Sequence, residues 1–162
     1  MCASTCFIAN LYPNSEIIGV DKCKKGIKCA EEIAQKLGVE NVKFEAVDAK
    51  KVDKFFKEEK FDLIVSNPPY IRKADIDGLD RQVKDFEPYN ALEGGEDGLD
   101  FYRKITKESK AFLKNKGILA YEVGHDQAQD VSQIMQENGF EGIYTKCDLQ
   151  GFERVVIGFY NN

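Results

Sequence analysis

The chain has 162 residues, of which 43% are hydrophobic and 31% charged, and its net charge is −5. About 150 residues bury roughly 68–70% of the surface their unfolded chain exposes, so one domain spanning residues 1–162 with a single good core is expected. No apolar run reaches the ~18 residues that a membrane-spanning helix needs, and the acidic balance argues against duplex nucleic acid, whose non-specific affinity comes from Lys and Arg.

Strand-length apolar runs alternate with helical patterns along the chain. Residues 16–21 (EIIGVD) read as a short buried strand. Residues 21–37 show helical spacing at Ile27, Ala30, Ile33 and Leu37, and Gly38 suits the left-handed position that closes a helix. The basic cluster Lys22, Lys24, Lys25 and Lys28 reads as the solvated face of that helix. Residues 42–47 (VKFEAV) form a second strand and residues 53–59 a short helix. Residues 61–66 (FDLIVS) form a third strand, stopped by Pro68 and Pro69, which cannot continue a ladder.

A long polar connection follows over residues 71–97, with three glycines and one proline. A segment of that length inside a compact domain is usually functional. Residues 98–113 are expected as a helix with Phe101, Ile105 and Phe112 on one stripe. Residues 117–123 (GILAYEV) are a strand, and residues 126–138 a helix ended by Gly139. Residues 142–146 and 154–160 close the chain as two strands, an antiparallel hairpin around residues 148–151. Strands alternating with helices define an α/β class with a doubly wound, mostly parallel sheet. Ligands in such sheets bind beyond the carboxyl ends of the strands.

The five cysteines are odd in number and make no C-x-x-C pair. They therefore read as free thiols of a reducing cytoplasm, with neither zinc nor a disulfide framework. No basic segment followed by an apolar stretch marks a secretion signal, so a cytoplasmic location is expected and no metal site.

Three points at the strand ends carry chemistry. Asp21 ends the first strand, where an acid can accept from a ribose hydroxyl pair or cap the next helix. Asp48 ends the second, where it can accept from the exocyclic amine of adenine or serve a turn. Asn67-Pro68-Pro69-Tyr70 is more specific. Two prolines fix φ and remove two N–H groups, which leaves a rigid backbone presenting carbonyls. The Asn67 and Pro68 carbonyl oxygens can accept from one planar –NH2 group, and Tyr70 can stack on it. Such a nitrogen is a poor nucleophile with a delocalised lone pair. Paired with an electrophilic methyl donor, it needs mainly positioning, at about 3–3.5 Å from the methyl carbon. The one histidine, His125, reads as a loop residue.

Residues 67–71 (NPPYI), Asp85-Phe86-Glu87-Pro88 and residues 91–103 (ALEGGEDGLDFYR) together resemble the HemK/PrmC family of protein-(glutamine-N5) methyltransferases acting on peptide chain release factors. Residues 122–127 (EVGHDQ) and 148–158 (DLQGFERVVIG) are similar to that family's later segments. The resemblance implies a Rossmann-like, class I S-adenosylmethionine-dependent fold with a C-terminal antiparallel hairpin. It implies that Asp21 binds the cofactor ribose, that Asp48 lies near adenine, and that Asn67, Pro68 and Tyr70 hold the substrate amide. The implied substrate is the glutamine of a GGQ motif in a release factor, with no direct contact to nucleic acid and none to a membrane.

Two departures qualify the resemblance. The family's glycine-rich cofactor loop aligns with Ser4-Thr5-Cys6, and side chains at Ser4 and Cys6 obstruct the close backbone approach that glycine allows. The first strand of the family's sheet and its N-terminal substrate-docking domain have no counterpart in the sequence. Two strands are therefore expected to lack a partner, an open edge through which copies can associate, and the chain alone is expected to bind its cofactor weakly. An amino-directed nucleic-acid methyltransferase, which shares NPPY, and a non-catalytic paralogue are the alternative readings.

Overall fold

The computed structural model describes residues 2–48, 52–56, 60–78 and 89–161. Two compact units divide the chain, Met1–Lys57 and Glu58–Asn162. The expected motif at residues 85–88 lies outside the described residues.

The first unit is a βαβ arrangement with a helix in front of it. Strand β1 (Ile17–Asp21) pairs in parallel with β2 (Val42–Ala46), in a register running from Ile17 opposite Val42 to Asp21 opposite Ala46. Helix α2 (Lys24–Leu37) makes the crossover and buries Ile27, Ala30 and Ala34, a 3-then-4 spacing that keeps one face on the strands. Ile33 is only half-buried and Leu37 is exposed, so the apolar stripe runs through Ala34 instead. Gly38 stops the helix at φ 66°, and the Gly38 and Val39 amides reach back to the Gln35 and Ala34 carbonyls.

Helix α1 (Cys2–Leu11) occupies the segment aligned with a cofactor loop. CASTCFIANL carries neither glycine nor proline to interrupt a helix. Cys6 and Ala9 are fully buried, and the Cys6 thiol donates to the Ala30 carbonyl at 3.5 Å. A side chain at Gly19 would come within 2.8 Å of the Phe44 ring and 3.0 Å of Thr5 Cγ2, so this strand glycine is what lets α1 and Phe44 close on β1. The Asn41 side-chain amide donates to the carbonyls of Ala9, Tyr12 and Ser15, tying the end of α1 to the entrance of β2. A short helix, α3 (Val52–Phe55), begins one residue before the expected one and overlaps its first turn.

The second unit holds a four-stranded sheet in the order β3 (Phe61–Ser66), β4 (Leu113–Glu122), β6 (Glu153–Tyr160), β5 (Phe140–Cys147). The β3–β4 pair is parallel, and β6 runs antiparallel to both β4 and β5, the expected closing hairpin. Strand β4 begins four residues before the expected start. Its first residues form an irregular stretch in which Phe61 faces Leu113 while Leu63 already faces Ile118, with Lys116 at φ 63°. Among its described residues the unit also holds a 3-10 helix (Lys73–Gly78) and three α-helices, α4 (Tyr89–Leu92), α5 (Asp100–Ser109) and α6 (Ala128–Glu137).

The core gathers Leu99, Tyr102, Leu113, Leu119, Tyr121, Val123, Val131, Met135, Phe140 and Val156. The buried face of α5 is Tyr102, Thr106 and Ser109, one position on from the expected stripe of Phe101 and Ile105. Polar groups enter the core here because each finds a partner. Tyr121 and Thr106 share a hydroxyl hydrogen bond of 2.9 Å, and the Tyr102 hydroxyl donates to the Glu122 carbonyl at 2.9 Å. The two rings meet edge to face at 5.1 Å. Burial pushes both phenols above their ordinary range, which favours their neutral form.

Strand β1 is hydrogen-bonded by β2 alone and β3 by β4 alone, so each keeps one open edge among the described residues. On β3, Leu63 and Val65 are exposed. Truncating the fully buried Leu119 to alanine is expected to lower the unfolding free energy by ~2–5 kcal/mol. Leu63→Ala on the open strand is expected to cost no more than about 1 kcal/mol. Urea unfolding of the two variants checks the contrast.

Candidate active site at a proline corner

The corner Asn67-Pro68-Pro69-Tyr70 leaves the carboxyl end of β3, next to the carboxyl end of its parallel neighbour β4. Pro68 is buried, and Asn67, Pro69 and Tyr70 are half-buried. Since Pro68 and Pro69 bring no N–H, groups from elsewhere must hold this backbone in place.

Two segments of the second unit do so. The Ile71 amide donates to the Leu92 carbonyl at 3.0 Å, the Gly94 amide to the Ile71 carbonyl at 2.9 Å and the Lys73 amide to the Gly95 carbonyl at 3.0 Å. This short ladder, with a parallel bridge between Ile71 and Glu93, lays the chain after the corner along residues 92–95. Gly94 is required by contact: a Cβ there would lie 2.8 Å from the Pro69 carbonyl oxygen and 2.8 Å from Tyr70 Cα. Gly98 is required twice, by its φ of 78° and by the Tyr70 carbonyl oxygen that fills the place of its side chain.

The other segment is the turn between β4 and α6. Gln127 is 2% exposed, and its carboxamide donates to the Tyr70 carbonyl at 3.0 Å and to the Gly98 carbonyl at 3.4 Å. The carboxamide oxygen accepts the Gly124 amide at 3.1 Å. Outside this knot, Arg72 pairs with Asp126 at 2.8 Å, a second link between the chain after the corner and the same turn.

The 94–98 loop has its own lock. Asp97 accepts the Leu99 amide at 3.0 Å, and both of its oxygens meet the Arg103 guanidinium, at 3.1 and 2.5 Å. The hydrogen bond from Arg103 holds the Asp97 carboxyl below its ordinary value against the opposing effect of burial, and the Leu99 amide adds a smaller lowering.

The other residues singled out in the sequence lie in the first unit. Asp21 is half-buried at the end of β1, and one of its oxygens accepts the Cys23 amide at 2.9 Å, a turn contact at the entrance of α2. Asp48 is half-buried just beyond β2. Ser4 and Cys6 are residues of a helix and not of a loop, because Cys6 and Ala9 supply α1 with a buried face. A groove of about 370 Å³ lined by Ala34, Gly38, Val42 and Phe44 contains none of these four. His125 is an exposed loop residue edge-on to Phe152. Among the described residues, no group of three or more His, Cys, Asp or Glu side chains is placed to hold a metal ion, and no helix is long and apolar enough to cross a membrane.

Sequence reasoning did not assign roles to Gly94, Gly98 and Gln127. The close glycines of GGEDG were visible, but a partner 57 residues from Tyr70 is not a local signal.

A proline corner at the end of a parallel strand, in an α/β sheet closed by an antiparallel hairpin, defines a Rossmann-like methyltransferase. The comparisons agree: a family model described as a methyltransferase domain matches residues 2–148, and the chain belongs to that family. It is 43% identical over 150 residues to a release factor glutamine methyltransferase of Fusobacterium nucleatum, covering 93% of this chain and 42% of that protein. Over 145 residues it is 39% identical to the protein of the same name in Thermodesulfovibrio yellowstonii, covering 90% of this chain and 51% of the other. The chain thus spans about half the length, or less, of these curated relatives. Among solved structures it is similar to a release factor-specific protein-(glutamine-N5) methyltransferase of Alicyclobacillus acidocaldarius, with a TM-score of 0.53 at 22% identity over 99% of this chain and 93% of the other. A methyltransferase of Pyrococcus furiosus aligns with a TM-score of 0.68 at 16% identity, over 99% of this chain and 70% of the other. These two likenesses show the fold.

The Asp97–Arg103 pair carries a pH signature. The folded carboxyl titrates below the ordinary aspartate value of 3.8, so the pair's contribution is complete above that value and disappears as pH falls through the lower folded value. Asp97→Asn is expected to lower stability at neutral pH and to flatten its decline below about pH 4. Thermal unfolding across an acid pH series measures the slope.

Proposed function

We propose that the chain is the catalytic part of an S-adenosylmethionine-dependent methyltransferase that places one methyl group on the side-chain nitrogen of a glutamine in a protein. The substrate in this reading is the GGQ glutamine of a peptide chain release factor. The observation that supports it best is the corner itself, two prolines at the carboxyl end of β3 with half-buried Asn67 and Tyr70 on either side. Relatives sharing 39–43% identity over nine-tenths of the chain carry the release factor name.

In this reading the Asn67 side-chain carbonyl and the Pro68 backbone carbonyl accept the two hydrogens of the glutamine –NH2, and Tyr70 packs on the flat amide. Two acceptors on one nitrogen orient it and favour the positive charge that grows there during transfer. When bound, S-adenosylmethionine would supply an electrophilic methyl, the N–C bond forming as the C–S bond breaks and the donor leaving as a neutral thioether. The nitrogen then loses a proton to solvent, and no general base is required beforehand. Asp21 and Asp48, half-buried carboxylates just at or beyond strand ends, fit the ribose and adenine of such a donor. Ser4 and Cys6 do not fit the role of a cofactor loop, because α1 commits their backbone to a helix and buries the Cys6 thiol.

With S-adenosylmethionine in large excess, the chain is expected to methylate a release factor and not duplex DNA, measured as transfer of a labelled methyl group. Asn67→Ala is expected to lower turnover by at least about a hundred-fold, since a misplacement near 1 Å already costs that much, while its circular dichroism stays unchanged. Transfer to DNA alone, or full turnover by Asn67→Ala, would sink the proposal.

A further inference from the structure

The buried Gln127 side chain has no role in the reading above, yet it bonds both the corner and the glycine loop opposite it. Its surroundings present one N–H, from Gly124, and two carbonyls, from Tyr70 and Gly98. Only a carboxamide matches that set, with its oxygen toward the donor and its nitrogen toward the two acceptors. A carboxylate would turn an acceptor toward two carbonyl oxygens, and an alkyl group would leave three buried backbone groups without this partner. The surrounding glycines admit nothing larger. An ideal Cβ at Gly98 would come within 2.6 Å of the Gln127 nitrogen, and one at Gly124 within 2.7 Å of its oxygen.

From this geometry we infer that Gln127 is a positioning residue for methyl transfer, acting through the Tyr70 carbonyl to hold the Asn67–Tyr70 corner at the distance that transfer demands. The inference rests on the proposed function for its catalytic consequence, but its structural part stands by itself. Prolines at 68 and 69 forbid the corner from donating hydrogen bonds there, so its placement depends on donors aimed at its carbonyls. Gln127 supplies such a donor from the first residues after β4, the strand that already pairs with β3. The corner is thereby referred to the rigid sheet and not to the 71–97 connection alone.

The test uses Gln127→Glu, which keeps the acceptor for Gly124, and Gln127→Leu, which keeps none of the three bonds. Amide hydrogen exchange is read at Ile71, Lys73 and Gly94, whose hydrogen bonds form the ladder beside the corner. Both variants are expected to lose protection at these three amides and to keep it in β4 and β6. In steady-state transfer, kcat is expected to fall about a hundred-fold, with KM for S-adenosylmethionine unchanged. Unaltered exchange at the three amides in Gln127→Glu overturns the inference, and so does lost protection with kcat intact. Failure of the parent chain to methylate any glutamine refutes the proposed function instead, while the exchange result still decides whether Gln127 holds the corner.

Discussion

Two adjacent residues without N–H groups set the terms for the second unit. Pro68 and Pro69 end β3 at a place where a polypeptide would otherwise turn by bonding to itself. Their rigidity is useful only if something else fixes where the corner points. The structure answers with a ladder from residues 92–95 and a buried carboxamide from the start of α6. The glycines at 94 and 98 follow from the same constraint, since the corner's backbone occupies the space their side chains would need.

The core behind the corner makes that arrangement rigid. Strand β4 lies in the middle of the unit, parallel to β3 on one side and antiparallel to β6 on the other. Tyr121 on β4 and Tyr102 on α5 pack edge to face, and their hydroxyls are satisfied by Thr106 and the Glu122 carbonyl. Helix α5 is in this way oriented by both apolar area and two directional bonds. The Asp97–Arg103 lock sits at its first turn, so the glycine loop and the helix are set as one piece. Residues behind the corner thus help set where Asn67 and Tyr70 stand.

The first unit follows a different economy of contacts. Its two strands are short, and α1 and α2 cover them through small residues, Cys6, Ala9, Ala30 and Ala34, with Gly19 between. Small side chains let backbones approach closely, and this made a helix of a segment that alignment assigned to a loop. The same packing turns Cys6 inward and commits its thiol to the Ala30 carbonyl. Asp21 keeps its place at the strand end, with one oxygen engaged by the following turn.

The sequence by itself determined the α/β class, the strands, the closing hairpin and the corner, because these depend on local properties. Apolar runs of strand length, a left-handed glycine at 38 and a pair of prolines each act within a few residues of themselves. The NPPY run pointed to the chemistry proposed above for the same reason. What only the tertiary structure decided depends on contacts far apart in the chain. The buried face of α5 shifted by one position because Tyr102 and Thr106 found partners on β4. Residues 4–6 became helical because α2 and β1 gave them a surface to cover. Gln127 became the tie to the corner because its three hydrogen-bond partners, Tyr70, Gly98 and Gly124, meet only once the sheet has formed.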